Sequence, residues 1–166
     1  DRGVDYFVKD PEKYRDKNIV IAGGGDSALD WSIILSNVAT SVTLIHRRNE
    51  FRGALDSVEK VQELKSAGKI KLITPAEVVG FKGSERIESL DIEMNGARMN
   101  VPTDYFIPLF GLTPKLGAIA NWGLEIEKNA IKVDHTLDYQ TNTKGVFAIG
   151  DVNTYPGKLK LILCGF

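Results

Sequence analysis

The chain has 166 residues, of which 43% are hydrophobic, and a formal net charge of −1. This balance gives no reason to expect a nucleic acid or an anionic membrane as a partner, and no apolar stretch approaches the length of a membrane span. A single cysteine, Cys164, excludes an internal disulfide, and the widely separated His46 and His135 lack the spacing of zinc ligands, so no metal site is expected. The charged opening segment is unlike a signal peptide, so a cytoplasmic location is expected.

The first predicted strand, residues 18–22, runs into three glycines, and a helix is predicted from residue 26 to about residue 37. The small residues of this turn follow the dinucleotide-binding fingerprint G-x-G-x-x-A: Gly23, Gly25 and Ala28. The first permits a tight turn, the second lets backbone approach a pyrophosphate, and the third lets the helix pack on the strand. Asp26 and Ser27 suit a helix start, because either side chain can cap it by accepting hydrogen bonds from free backbone N–H groups. These N–H groups also attract an anion. A flexible glycine turn is the alternative, but the flanking strands and helix favour nucleotide binding.

The second predicted strand, residues 42–45, ends in a basic cluster instead of the acidic residue that usually binds the ribose hydroxyls of NAD. Arg47 and Arg48 follow the strand, and Arg52 lies about one helical turn further on. Guanidinium groups bind phosphate oxygens in a bidentate manner and stay charged at physiological pH. The cluster predicts a 2′-phosphate and therefore NADP(H) as the cofactor. His46 either contacts the same phosphate or simply ends the strand, and the sequence leaves both open.

The following segments continue the alternation, with a helix predicted at Leu55–Ser66 and a third parallel strand at Ile70–Ile73. This order predicts a Rossmann-like, doubly wound α/β fold with a parallel sheet. Three strand-like runs then predict an antiparallel meander: residues 77–81, 87–94 and 97–101. Asn95 and Gly96 form a strong hairpin signal within it. A last strand at residues 105–109 is expected to return to the parallel sheet.

The remainder of the chain contains only short predicted strands, at residues 124–126, 131–133 and 146–149. The last of them runs into Gly150 and Asp151. This part is too short to enclose a core alone, so it is interpreted as a piece of another domain. We therefore expect an NADP(H)-binding domain with its lead-in at residues 1–112, and a crossover with part of a second domain at residues 113–166.

Five motifs in chain order carry a resemblance to a known family: GGGDSALDW, HRRNEFRG, FGLTPK, GVFAIGDV and YPGKLKLI. Together they resemble the two-dinucleotide-fold flavoprotein reductases, and within them the thioredoxin-reductase-like ferredoxin(flavodoxin)–NADP reductases. The resemblance implies an FAD domain interrupted by an NADP(H) domain. It also implies hydride transfer from NADPH to FAD, electron transfer to ferredoxin or flavodoxin, and a homodimer. Residues 113–166 would then be a partial strip of the FAD domain.

The same resemblance assigns roles to individual positions. The pyrophosphate would be held by the glycine turn and helix start: Gly23, Gly25, Asp26, Ser27 and Ala28. The 2′-phosphate would be held by Arg47, Arg48 and Arg52. Gly111 falls in the family's glycine–proline crossover, near the adenosine end of the nucleotide. Gly150 and Asp151 match the element whose aspartate accepts hydrogen bonds from the ribityl hydroxyls of FAD, and residues 158–162 would lie beside the flavin.

Two departures from the family pattern qualify these expectations. The lead-in lacks the CxxC pair of thioredoxin reductases, so thioredoxin reduction is not expected. The chain also lacks the family's first FAD-binding segment and its C-terminal helix, so we expect a fragment that binds NADP(H) but holds FAD weakly. No acid, base or nucleophile is assigned, because the cofactors carry the hydride chemistry. The alternatives are a non-catalytic NADP(H)-binding module and a flavin-linked reductase of another acceptor. For the latter Cys164 is the only available thiol, and its apolar surroundings favour packing.

Overall fold

The computed structural model describes residues 2–111 and 113–158. The chain forms two compact units, Asp1–Gly111 and Leu112–Phe166. A short 3₁₀ turn, Pro11–Tyr14, precedes the regular elements of the first unit. These elements are, in chain order, β1 (Asn18–Ala22), α1 (Asp26–Leu35), β2 (Ser41–Ile45), α2 (Leu55–Ser66), β3 (Ile70–Ile73), β4 (Glu77–Lys82), β5 (Ser89–Met94), β6 (Ala97–Pro102) and β7 (Tyr105–Pro108).

Four parallel strands form the central sheet of the first unit, in the order β3-β2-β1-β7. After an exposed first residue, β1 and β2 each have four consecutive buried residues, as expected for a parallel sheet covered on both faces. The chain passes from β1 outward to β2 and β3, then returns to place β7 on the other side of β1. The carboxyl end of β1 therefore lies at a topological switch point, where open α/β sheets bind their ligands.

Alternate residues of β1 belong to two separate hydrophobic clusters, because successive side chains of a strand point to opposite faces. Ile19 and Ile21 are buried in one cluster with Leu29 of α1 and Val61 of α2. Val20 belongs to the other cluster, to which the antiparallel strands contribute Leu90, Ile92 and Val101. The helices therefore cover one face of the parallel sheet, and β4–β6 cover the other.

Both sheets predicted for the first unit are confirmed, and the second pairs in the order β4-β5-β6. Asn95 and Gly96 have φ values of 53° and 78°, the positive angles that a type I′ hairpin turn requires. Strand β5 begins at Ser89, two residues later than predicted. The reason is that the Ile87 N–H donates to the Arg2 carbonyl (2.8 Å) in the lead-in instead of joining the ladder.

The second unit contains three short strands, β8 (Ile126–Glu127), β9 (Ala130–Lys132) and β10 (Asn153–Thr154), in the order β10-β9-β8. Positive φ values at Lys128 (51°) and Asn129 (62°) form the turn that pairs β8 with β9, which moves β8 two residues beyond the prediction. Among the described residues, its hydrophobic cluster of buried side chains consists of Ile131, Val133 and Ala148.

The predicted strand at residues 146–149 is wrong. Its alternation is real, because Ala148 is buried whereas Phe147 and Ile149 are exposed. The segment nevertheless makes only an isolated bridge, between Phe147 and Gln140, within the part of the unit that the structure describes. Without a neighbouring strand, an extended segment has no ladder to join, and the chain continues into a 3₁₀ turn at Gly150–Val152.

Candidate functional site

The glycine-rich turn occupies the switch point between β1 and β7. The Gly23 N–H donates to the Ile45 carbonyl of β2 (3.0 Å), and the Leu109 N–H donates to the Ala22 carbonyl (2.7 Å), which holds the three strand ends together. A Cβ atom on Gly23 would overlap the Leu109 carbonyl oxygen and lie 2.8 Å from the Ala28 side chain. Gly23 and Ala28 therefore satisfy the two close approaches that the fingerprint requires of small residues.

The middle glycine supports a buried histidine. A Cβ atom on Gly24 would overlap the imidazole ring of His46, which is 7% exposed. The ring stacks on Phe51 with centroids 5.3 Å apart, and its Nε2 lies 3.2 Å from the Glu50 carbonyl oxygen. His46 thus packs beneath the glycine turn, and this placement favours a supporting role over direct contact with a phosphate.

Burial lowers the pKa of His46 below its usual value, because the charged imidazolium loses hydration. The Glu50 carbonyl opposes this effect. The positive charges of Arg52, Arg47 and Arg48 lower the pKa further. The ring is therefore neutral at physiological pH, and the positive charge of the loop resides on the arginines.

The third glycine faces open space at the start of α1. Gly25 is the N-cap residue, and among the described residues no side chain caps this helix start by a hydrogen bond. Apart from Gly25 itself and its two chain neighbours, no described residue has an atom within 4 Å of the position that a Gly25 Cβ would occupy. The N–H groups of a first helical turn lack partners within the helix, and the helix dipole makes this end attractive to anions. Asp26 and Ser27 are the exposed first residues of the helix. The turn thus offers room and donors for a phosphate group.

Three arginines lie on the loop that follows β2. Arg47, Arg48 and Arg52 are all exposed. Within residues 2–111 and 113–158, none of their guanidinium groups forms a salt bridge with a carboxylate. The residue that follows β2 is His46, so no acidic side chain is present there to repel a 2′-phosphate. The parallel pairing of β1 and β2 places the start of this loop beside the glycine turn.

The two loops are also fastened by contacts that the sequence did not reveal. The Arg52 N–H donates to the Gly24 carbonyl (2.7 Å). The Ala54 N–H donates to Oδ1 of Asp26 (2.7 Å). Gly53 lies between these two N–H donors. The sequence shows a glycine shortly before a helix at this position, but it does not show which residues the loop contacts. Asp26 therefore makes its hydrogen bond with the neighbouring loop rather than with its own helix, contrary to the capping role suggested by the sequence.

The remaining predicted residues lie at two other places. Gly111, exposed and with φ of 90°, ends the first unit three residues beyond β7. Gly150 and the exposed Asp151 begin the 3₁₀ turn of the second unit. Of the segment at residues 158–162, only Lys158 is among the described residues, and Cys164 also lies outside them.

Polar contacts hold the turn that contains Gly150 and Asp151. Asn153 is 2% exposed, and its side-chain amide donates to the Ala148 carbonyl (2.6 Å). The ammonium group of Lys158 donates to the Gly150 carbonyl (2.5 Å) and to the backbone carbonyl of Asn153 (2.8 Å). These contacts fix the backbone on both sides of Asp151.

Residues 2–111 and 113–158 contain neither a cluster of metal ligands nor a membrane-spanning helix. No group of three or more histidine, cysteine, aspartate or glutamate side chains has an arrangement that could hold a metal ion there. In the same ranges, no helix combines the length and the apolar character needed to cross a bilayer.

The fold and the glycine turn define the class of protein. A sequence model of the family described as "Pyridine nucleotide-disulphide oxidoreductase" matches residues 5–163 of the chain. The chain therefore belongs to the pyridine nucleotide-disulphide oxidoreductase family, and the resemblance inferred from its motifs is confirmed.

Individual relatives refine this assignment. The chain is 82% identical over 166 residues to the ferredoxin–NADP reductase of Flavobacterium psychrophilum, and 48% identical over 165 residues to that of Bradyrhizobium diazoefficiens. These alignments cover 100% and 98% of the chain but 47% and 48% of the two relatives. The chain thus spans about half the length of the curated relatives it matches.

Solved structures that are similar to this chain include thioredoxin reductases. The thioredoxin reductase of Lactococcus lactis matches with a TM-score of 0.85 and 28% sequence identity, covering 99% of this chain and 53% of that one. The fold is therefore that of thioredoxin-reductase-like proteins.

Proposed function

We propose that the first unit is an NADP(H)-binding domain. The observation that carries this proposal is the juxtaposition of an uncapped helix start, with open space at Gly25, and three exposed arginines after β2. The pyrophosphate would lie against the first-turn N–H groups of α1, at Asp26 and Ser27. The 2′-phosphate would be bound by Arg47, Arg48 and Arg52. The described residues thus fit the cofactor by shape and by charge.

The arginines would also set the preference for NADPH over NADH. A hydrogen bond to a charged group contributes about 1.5–3 kcal/mol, and each 1.4 kcal/mol corresponds to about a tenfold change in affinity. Two such contacts, present only with the 2′-phosphate, therefore favour NADPH by about a hundredfold or more. His46 would support the glycine turn without contacting the phosphate.

For the longer protein, we propose the activity of a ferredoxin–NADP reductase. Its relatives carry that name, and the chain belongs to the pyridine nucleotide-disulphide oxidoreductase family. NADPH would supply a hydride that FAD accepts, and ferredoxin or flavodoxin would receive the electrons. Gly111 would adjoin the adenosine end of the nucleotide. Gly150 and Asp151 would contact the ribityl chain of FAD in the partial FAD domain, and the protein would act as a cytoplasmic homodimer.

The cofactor proposal is tested by titrating the purified chain with NADPH and with NADH at matched ionic strength. Matched salt is needed because phosphate contacts are screened by ions. We expect NADPH to bind about a hundredfold more tightly. Equal affinities for the two nucleotides would refute the assignment of the arginines to a 2′-phosphate.

The acceptor is tested separately with the longer protein. Under NADPH, ferredoxin and flavodoxin should be reduced, whereas thioredoxin should not, since the lead-in of this chain has no cysteine pair. Rapid thioredoxin reduction without reduction of ferredoxin or flavodoxin would overturn the proposed acceptor while leaving the NADP(H) site intact.

A further inference from the structure

The start of α1 carries a carboxylate in an unexpected place for a pyrophosphate site. Asp26 is the first residue of the helix, next to the open position at Gly25. A carboxylate and a pyrophosphate are both hydrogen-bond acceptors with negative charge, so they repel one another at close range. A direct bond between Asp26 and the nucleotide is therefore physically unfavourable.

The hydrogen bond of Asp26 shows where the side chain acts instead. Its Oδ1 accepts the Ala54 N–H at 2.7 Å, and Ala54 is the N-cap residue of α2. The carboxylate thus lies at the starts of two helices, α1 and α2, where both dipoles favour a negative charge. The sequence separation of 28 residues makes this contact a tertiary link between the two loops of the site.

Two further contacts support the same link. The Arg52 N–H donates to the Gly24 carbonyl at 2.7 Å. A Cβ atom on Gly53 would lie 2.5 Å from Cδ1 of Leu29 and 3.1 Å from Oδ1 of Asp26, so a side chain there would have to displace the tip of Leu29 and crowd the carboxylate. Residues 52–54 therefore pack directly on the glycine turn and on α1, and this fixes the backbone from which the Arg52 side chain extends.

We propose that Asp26 is a positioning residue that sets the preference for NADPH over NADH by holding Arg52 at the 2′-phosphate, and that it is not a ligand of the nucleotide. This inference rests on the proposed NADP(H) function of the first unit. Without the Asp26–Ala54 bond, residues 52–54 lose one of their two hydrogen bonds to the glycine turn and helix start. Arg52 then binds the 2′-phosphate less well, while the pyrophosphate contacts remain.

The test compares Asp26→Ala and Asp26→Asn by titration with NADPH and NADH at one ionic strength. Asp26→Ala should weaken NADPH binding about five- to tenfold and leave NADH binding within about twofold, since one charge-assisted contact is impaired. Asp26→Asn retains an oxygen acceptor for Ala54 and should stay close to the wild type. The control is Asp56→Ala, which removes the same charge from an exposed position in the first turn of α2 and should not weaken NADPH binding.

The sign of the effect separates positioning from simple electrostatics. Removing a negative charge near a phosphate would by itself tighten NADPH binding, so tighter binding by Asp26→Ala would overturn the inference. An equal loss of NADPH and NADH affinity would also overturn it, because that pattern indicates a damaged pyrophosphate site or general unfolding.

A double-mutant cycle identifies the residue through which Asp26 acts. In an Arg52→Ala background, Asp26→Ala should change NADPH affinity by less than about twofold, because the group it positions is already gone. An undiminished effect in that background would refute the role of Arg52. Should Asp26→Ala fail to fold, Ala54→Pro removes the N–H that donates to Asp26, at a residue whose φ of −55° suits proline. It should lower the NADPH-to-NADH affinity ratio, and an unchanged ratio contradicts the inference. If the wild type itself shows no preference for NADPH, the proposed function fails as well, whereas a wild-type preference that survives Asp26→Ala refutes only this inference.

Discussion

The two units support their glycine-containing turns in different ways. In the first unit, the turn at Gly23–Gly25 lies at the end of a parallel strand that is packed on both faces, and the buried His46 ring supports it from below. In the second unit, strands of two or three residues surround a small core, and the turn at Gly150–Val152 is held by polar contacts from Asn153 and Lys158.

This difference shows how much of each site the described chain provides. The first unit contains every residue proposed for the phosphates of NADP(H), on a scaffold with two hydrophobic clusters. The second unit supplies one turn and exposes the large side chains of Phe147 and Ile149. We therefore expect nucleotide binding to depend on the first unit and to be insensitive to local opening of the second.

Hydrogen exchange should give the largest contrast between the units. The amides of β1 should exchange about a thousandfold more slowly than those of β8 and β9, because short strands on a small core open locally without unfolding the rest. Exchange followed by NMR or mass spectrometry measures this directly. Similar protection in both units would mean that they unfold together, and the proposed independence of the first unit would be lost.

Removing two of the three arginines should remove most of the preference for NADPH. The double variant Arg47→Ala, Arg48→Ala is expected to weaken NADPH binding about a hundredfold while leaving NADH binding nearly unchanged, because each lost charge-assisted contact contributes about 1.5–3 kcal/mol. Calorimetric titration measures both affinities. The matched control, Lys65→Ala with Lys69→Ala, removes two exposed cations of the same unit. If that control reduces NADPH affinity equally, general charge attraction rather than specific binding is responsible.

Alanine substitutions at two neighbouring glycines should have different effects: Gly25→Ala should weaken nucleotide binding, and Gly24→Ala should lower the stability of the fold. Gly25→Ala places a methyl group in the open space proposed for the pyrophosphate, so it should weaken NADPH and NADH alike by about tenfold or more. Its cost in the free energy of unfolding should stay below about 1 kcal/mol, since Gly25 has φ of −104° and is only a helix N-cap. Gly24→Ala must displace the His46 ring and should cost about 1–3 kcal/mol.

Denaturant unfolding combined with nucleotide titration distinguishes the two glycine variants. Normal nucleotide binding by Gly25→Ala would show that the phosphates lie elsewhere. Wild-type stability of Gly24→Ala would show that the histidine is not packed beneath the turn.

The smallest expected effect is a pH dependence that arises from His46. Because burial lowers the pKa of His46 in the folded chain, the unfolded chain binds the proton more readily. The contribution of neutral, buried His46 to the free energy of unfolding is fully present above about pH 6.5, the usual pKa of histidine. It is lost as the pH falls towards the lower pKa of the folded state. The free energy of unfolding of the first unit should therefore decrease as the pH falls below about 6.5.

Tryptophan fluorescence allows this slope to be measured in the first unit alone. Trp31 packs against the cluster beneath α1, so a Trp122→Phe background leaves a reporter of the first unit. His46→Asn should flatten the slope in this pH range, and His135→Asn should not. A slope that persists in His46→Asn would assign the pH dependence to other groups.

The parts of the molecule that the sequence predicted are those set by local requirements. The fingerprint residues Gly23, Gly25 and Ala28, and the Asn95-Gly96 turn, are visible because each position needs a particular residue for backbone or packing reasons. The basic end of β2 is visible because its offset from the glycines is fixed by the strand–helix–strand unit.

The parts that the sequence missed depend on contacts between distant segments. Hydrophobic periodicity does not show that β4–β6 cover the face of the parallel sheet opposite the helices. It also does not show the hydrogen bond between Ala54 and Asp26. The predicted strand at residues 146–149 has the right alternation, but pairing requires a neighbour that alternation cannot reveal. The sequence leaves two roles open for His46 because burial, which distinguishes them, is a tertiary property.

A crystal structure of the chain with bound NADP⁺ tests the central claim most directly. We expect 2′-phosphate oxygens within about 3 Å of guanidinium nitrogens from at least two of Arg47, Arg48 and Arg52, with the pyrophosphate at the first-turn N–H groups of α1. A nucleotide bound elsewhere, or arginine side chains turned away from its 2′-phosphate, would contradict it.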